Sequence, residues 1–182
     1  MEFKIDIKIF LIALVFLLVN QIYMYILFMT FAIIHECFHL LAGIILGYKV
    51  KSVRIMPLGL SIAFNEKEEE YNTKIRNSNF NNVKKIIILL MGPISNIVIA
   101  FFFMLLNMAI PVYINVLIAI FNLLPIYPLD GGQILNRVIR IFYGNFEAYK
   151  ISNSVNNIIM SILTALASIG LLYTKNIAII FI

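Results

Sequence analysis

A histidine pair four residues apart, His35 and His39, with Glu36 beside the first, lies in the apolar stretch FAIIHECFHLLAGIILG at 31–47. At about 100° per residue, a helix puts the two imidazoles on one face with the carboxylate flanking them. Two imidazole nitrogens at this spacing grip a metal. In H-E-x-x-H the metal is normally zinc, and the glutamate takes a proton from the metal's water instead of binding the ion. The chain has no other histidine. An ionisable group at membrane depth costs about 3 kcal/mol on insertion scales, so three in one apolar run read as a functional site. Each histidine taken singly reads as a hydrogen-bonded core imidazole; the spending of both on one motif favours the metal.

A catalytic zinc usually takes three protein ligands and leaves a fourth position open. Once Glu36 is assigned as base, Asp130 is the remaining carboxylate at membrane depth, since Asp6 lies at the N-terminal edge. Pro125 and Pro128 cannot both belong to a regular helix, so the backbone is expected to unwind before Asp130 and hold it stiffly. Gly131 and Gly132 then allow a turn. The competing reading of Asp130 is a turn aspartate ahead of Gly-Gly. The single cysteine, Cys37, points about 200° from His35, so it cannot share that metal and is expected to be a small buried hydrophobe facing another helix.

These residues need elements to hold them, and composition says which. The chain has 182 residues, 62% of them hydrophobic and 13% charged; with a mean hydropathy of +0.97 it is too apolar for a soluble globule. An all-α polytopic membrane protein is expected, a single membrane-embedded domain over 1–182 with no separate soluble domain, since each span needs about 20 apolar residues. The net charge of +5 does not imply nucleic acid, because the basic residues fall between the apolar runs, where they orient a protein in the bilayer. One cysteine excludes an internal disulfide framework.

Five transmembrane helices are expected. Between Ile9 and Gly47 the only formal charge is Glu36, and the run is too long for one span, so it folds back near Asn20 and Gln21, giving helices near 8–25 and 28–47. The N-terminal segment lacks a small-residue cleavage pattern and reads as an uncleaved anchor. Residues 53–64 alternate in hydropathy, which reads as a short β-strand, or as a hairpin, near the cytoplasmic face. Segment 65–82 is polar and reads as a solvated loop. The third span runs over 84–107, with Gly92 and Pro93 breaking or kinking it. A fourth begins near Pro111, a helix restarts over 133–142, and a fifth span covers 152–173. The apolar residues 177–182 are too few to cross, so they read as a re-entrant tail or as a truncated sixth helix. Lysines and arginines gather in 48–85 and 137–150, so the N-terminus and the loops 48–85 and 131–151 are expected to be cytoplasmic.

HECFH in one span, GPISN in the next and NLLPIYPLDGG at the end of another resemble the site-2 protease family of intramembrane zinc metalloproteases. Segment 122–132 and the Pro-Leu-Gly at 57–59 are most similar to its sporulation branch, that of stage IV sporulation protein FB, which processes a pro-sigma factor. The resemblance implies His35, His39 and Asp130 as ligands of one zinc ion and Glu36 as general acid and base. It also implies substrate-positioning roles for Asn122 and for Pro57, Gly59 and Leu60, on a strand that pairs with substrate. The partners implied are a membrane-associated protein substrate, the lipid bilayer, and membrane inhibitor or regulatory proteins, with no nucleic acid. Cys37 and Phe38 depart from the small residues usual inside the family's motif. The alternatives from other classes are a catalytically silent membrane scaffold retaining the fold, and a zinc transporter, which would need ligands along a path over several spans.

Overall fold

The computed structural model describes residues 2–5, 8–56, 59–64 and 75–174. The elements run β1 (Glu2–Ile5), α1 (Lys8–Leu18), α2 (Ile22–Ile45), β2 (Val50–Met56), β3 (Gly59–Phe64), α3 (Ile75–Leu105), α4 (Ala109–Asn122) and α5 (Asp130–Thr174). The chain forms two compact units, residues 1–123 and 124–182.

In the first unit, three helices end in the same way, and their ends set the hairpins. Asn20 (φ 58°), Gly47 (φ 84°) and Asn107 (φ 55°) are left-handed. After each, paired amide-to-carbonyl bonds close the last turn: Asn20 N to Leu17 O with Gln21 N to Phe16 O, Gly47 N to Ile44 O with Tyr48 N to Gly43 O, and Asn107 N to Met104 O with Met108 N to Phe103 O. That is the Schellman arrangement, and glycine and asparagine are the residues that enter the left-handed region at least cost. The reversal expected at Asn20 and Gln21 therefore has a defined mechanism. The first helix is shorter than expected, stopping at Leu18 instead of running on toward Tyr25.

α2 buries one stripe, Tyr25, Phe31, Ala32, His35, His39, Ala42 and Gly43, at the spacing of one helical face. That stripe packs on α3, where Phe31 meets Phe103 edge to face with ring centroids 5.7 Å apart, and Phe16 of α1 stacks on Tyr25 at 5.0 Å. Cys37, opposite the stripe, is exposed, contrary to the expectation of burial against another helix. α3 departs from expectation twice. It begins at Ile75, inside the segment expected to be a loop, and it runs unbroken through Gly92 and Pro93. A proline inside a helix costs one hydrogen bond and clashes with the carbonyl four residues back; the packing of α3 against both α2 and α4 outweighs that cost.

β2 and β3 pair antiparallel from Val50↔Phe64 to Met56↔Gly59, and β1 adds to β2 in parallel. The order β1-β2-β3 leaves β1 and β3 at the edges, and β3 lies beside α2.

In the second unit, the backbone is unwound over 124–129, with a cis Tyr127–Pro128 peptide. Tyr127 N donates to Asn156 Oδ1 (3.0 Å) and Gln133 Nε2 to Pro128 O (2.9 Å), so two neighbouring residues of the unwound backbone are tied to α5. The glycines do not form the turn expected after Asp130. Gly131 and Gly132 belong to α5, and a Cβ at Gly132 would overlap the backbone of Ile126 and Tyr127. The basic segment near 137–150 is helical as well, interrupted at Gly144 (φ 83°, ψ 177°).

By length and hydropathy, two described helical segments, Ile22–Ile45 and Asn79–Leu105, could cross a bilayer, while Ala109–Asn122 is apolar but shorter. The distribution of side chains is inverted relative to a soluble protein. Ile97, Val98, Phe101, Phe102, Ile120 and Ile26 face outward, whereas Ser95, Asn96, Asn115, His35 and His39 are inside. Residues 177–182, Pro57 and most of the expected polar loop, 65–74, lie outside the described residues.

Candidate metal centre

The apolar helix α2 carries both of its histidines on its buried stripe. His35 is 2% exposed and His39 6%, while Glu36, one position round, is half-buried. The imidazoles meet edge to face at 4.7 Å between centroids, and their Nε2 atoms approach to 3.0 Å.

The other ring nitrogens are anchored. His35 Nδ1 bonds to Asn96 Oδ1 and His39 Nδ1 to the carbonyl of Ile88, both at 2.7 Å. An oxygen acceptor at Nδ1 makes that nitrogen the donor and leaves the Nε2 lone pair exposed to the site. Two lone pairs converging at 3.0 Å repel each other, and a cation between them turns that repulsion into ligation. Zinc–nitrogen bonds of about 2.0–2.1 Å reach both atoms, and anchored outer nitrogens are the usual support for metal-binding histidines. The residues present therefore fit zinc.

Gly92 of α3 closes this side of the centre. A Cβ there would overlap Nε2 of both histidines and His39 Cε1, so only glycine lets the helix backbone come so near the rings. Asn96 lies one turn further along α3 and passes its own amide hydrogen to Asn115 of α4.

Asp130 is buried and opens α5, where the helix N-terminus favours a negative side chain. Asn122, the last residue of α4, is half-buried and donates Nδ2 to Ile118 O at 3.0 Å. Gly59 and Leu60 are placed on the edge strand β3, opposite Met56 and Ile55. His35, Glu36 and His39 are thus brought together in one unit, which holds Asn122 and β3 as well.

Sequence reasoning passed over Gly92, Asn96 and Asn115 as site residues. The available signal was polarity out of place: an asparagine within an apolar span must find a hydrogen-bond partner inside the protein. GPISN and the Asn115 of α4 both meet that description.

The chain is similar to a zinc metalloprotease of Methanocaldococcus jannaschii, at 26% identity over 135 residues; the match takes in 72% of this chain and 39% of that protein. The chain therefore spans about two-fifths of the length of that curated relative. Its fold is similar to the solved site-2 protease from Methanocaldococcus jannaschii, with a TM-score of 0.68 at 20% identity, covering 99% of this chain and 85% of the other. The family model of peptidase family M50 matches residues 23–113 and 107–167, which take in the histidine pair, Gly92, Asn96 and Asp130. With most of its length matched and its histidines poised for a metal, this chain belongs to peptidase family M50.

Proposed function

We propose that the chain is a zinc-dependent intramembrane endopeptidase that hydrolyses a peptide bond in or near a membrane-associated segment of its substrate. The observation that carries this reading is the convergence of two anchored Nε2 lone pairs at 3.0 Å, one residue away from Glu36. The apolar exterior and polar interior support a bilayer setting, in which α1, α4 and α5 join α2 and α3 as membrane-embedded helices. The basic segments near 48–85 and 137–150, with the β2–β3 strand pair inside the first of them, then face the cytoplasm.

Asp130 supplies the third ligand. Two imidazoles and one carboxylate, all buried, are the donor set of a catalytic zinc site. Bound zinc would supply Lewis acidity to a water molecule and to the scissile carbonyl. Glu36 accepts the water's proton and returns it to the leaving amine, so it acts first as base and then as acid. Gly92 keeps the rings' near side free of bulk. The edge of β3, carrying Gly59 and Leu60 and following Pro57, offers backbone hydrogen bonds to an unwound substrate strand, and Asn122 orients that strand.

Glu36→Gln should retain zinc and lose cleavage of a co-expressed membrane substrate by a factor of about 10² or more. Full activity in that variant would sink the mechanism, and zinc binding without turnover on any substrate tested would point to a silent scaffold. Within this class, segments 57–59 and 122–132 favour a pro-sigma factor as substrate, which co-expression with such a factor tests by the appearance of its shortened product.

A further inference from the structure

A file of amide hydrogen bonds leads from His35 through α3 to the start of α4. His35 Nδ1 meets Asn96 Oδ1 at 2.7 Å, Asn96 Nδ2 donates to Asn115 Oδ1 at 3.1 Å, and Asn115 Nδ2 donates to the carbonyl of Pro111 at 2.8 Å. Asn96 and Asn115 are both 0% exposed.

The file has a direction, and its origin is the one atom with no choice. A carbonyl oxygen only accepts, so Asn115 must turn its Nδ2 toward Pro111 and its Oδ1 toward Asn96. That oxygen also only accepts, so Asn96 must offer Nδ2 to it and Oδ1 to His35. The ring then has to carry its proton on Nδ1. Reversing Asn115 would set acceptor against acceptor at Pro111, and reversing Asn96 alone would set acceptor against acceptor at Asn115, in a fully buried site. His39 reaches the same state in a single step, because its Nδ1 faces the Ile88 carbonyl directly.

We propose that Asn96 and Asn115 are positioning residues that transmit the polarity of the Pro111 carbonyl to His35, selecting the tautomer whose Nε2 lone pair faces the metal before any metal arrives. This rests on the reading of His35 as a zinc ligand. It goes beyond that reading in assigning the ligand's tautomer to a residue on a third helix, two hydrogen bonds from the ring.

The test uses the full chain in detergent micelles with ¹⁵N-labelled histidine. Metal-free wild-type protein should show His35 protonated at Nδ1 alone, by its ring nitrogen shifts. Asn115→Ala should give mixed tautomers at His35 while His39 stays unchanged. In chelator competition, Asn96→Ala should weaken zinc binding by about 10- to 100-fold. Asn96→Asp, which keeps an acceptor at Nδ1, should recover about tenfold or more of that loss. If the two asparagines only fasten α3 to α4, the buried charge of Asn96→Asp makes it the worse variant, and Asn115→Ala leaves the His35 tautomer alone. Either result overturns the proposal. Should Asn115→Ala fail to fold, the Asn96 pair still decides. Failure of wild type to bind zinc would instead reject the protease reading, and the ring shifts of the metal-free protein would still judge the relay.

Discussion

Gly92→Ala sets two effects of opposite sign against each other. In an ordinary helix interior the change from glycine to alanine stabilises by about 0.8–1.0 kcal/mol. At Gly92 the new methyl would overlap His35 Nε2, His39 Nε2 and His39 Cε1. Both rings must swing aside, at about 0.5–1.5 kcal/mol each for leaving their rotamer wells. Doing so breaks the bonds to Asn96 and to the Ile88 carbonyl, worth about 1 kcal/mol each. The losses exceed the helical gain, for a net destabilisation of about 2–4 kcal/mol in the metal-free protein. Because both ligating nitrogens move, zinc affinity should fall by about 100-fold or more. Denaturant unfolding in mixed micelles measures the first effect, and chelator competition with metal analysis the second. An alanine variant about 1 kcal/mol more stable than wild type, binding zinc as tightly, would refute the argument that Gly92 exists to admit the two rings.

Asp130→Ala should lower bound zinc by about tenfold or more at a fixed chelator concentration, and unchanged zinc content would remove Asp130 from the ligand set. Gly132→Ala places a methyl against the Ile126 and Tyr127 backbone, which cannot rotate away as a side chain can, so a destabilisation of about 1–3 kcal/mol is expected from thermal unfolding. Asn122→Ala loses one bond to Ile118 O and should leave zinc content within error while reducing substrate cleavage; a parallel loss of zinc would assign Asn122 to the metal instead.

The half-site was legible because it is local. A spacing of four residues on a helix is a geometric statement, and the scarcity of polar groups in the apolar run made His35, Glu36 and His39 conspicuous. The unwinding before Asp130 was legible for a similar reason, since Pro125 and Pro128, three residues apart, each remove a helical hydrogen bond and clash with the preceding turn. Errors arose where tertiary contact overrode a local preference. Pro93 reads as a helix breaker, yet α3 passes through it because α2 and α4 hold the helix on both sides. Gly131 and Gly132 read as a turn, yet both belong to α5, and at Gly132 the close approach of the Ile126 backbone requires the absence of a side chain. The alternation over 53–64 signalled β-structure; Val50–Met56 and Gly59–Phe64 are two strands, with β1 completing a sheet that joins segments far apart in sequence.

By itself, then, the sequence determined an apolar helical chain, a histidine pair with a neighbouring base, and a proline-unwound approach to one carboxylate. Those follow from hydropathy, helical periodicity and the stereochemistry of proline, which act within a few residues. Only the tertiary structure decided which ring nitrogens face the centre, because that depends on acceptors brought from α3: the Asn96 side chain and the Ile88 carbonyl, 61 and 49 residues away. It also decided why residue 92 is glycine and why two asparagines are buried between apolar helices. A residue's chemistry is written in its own identity, but its tautomer and its room to act are set by whatever packs against it.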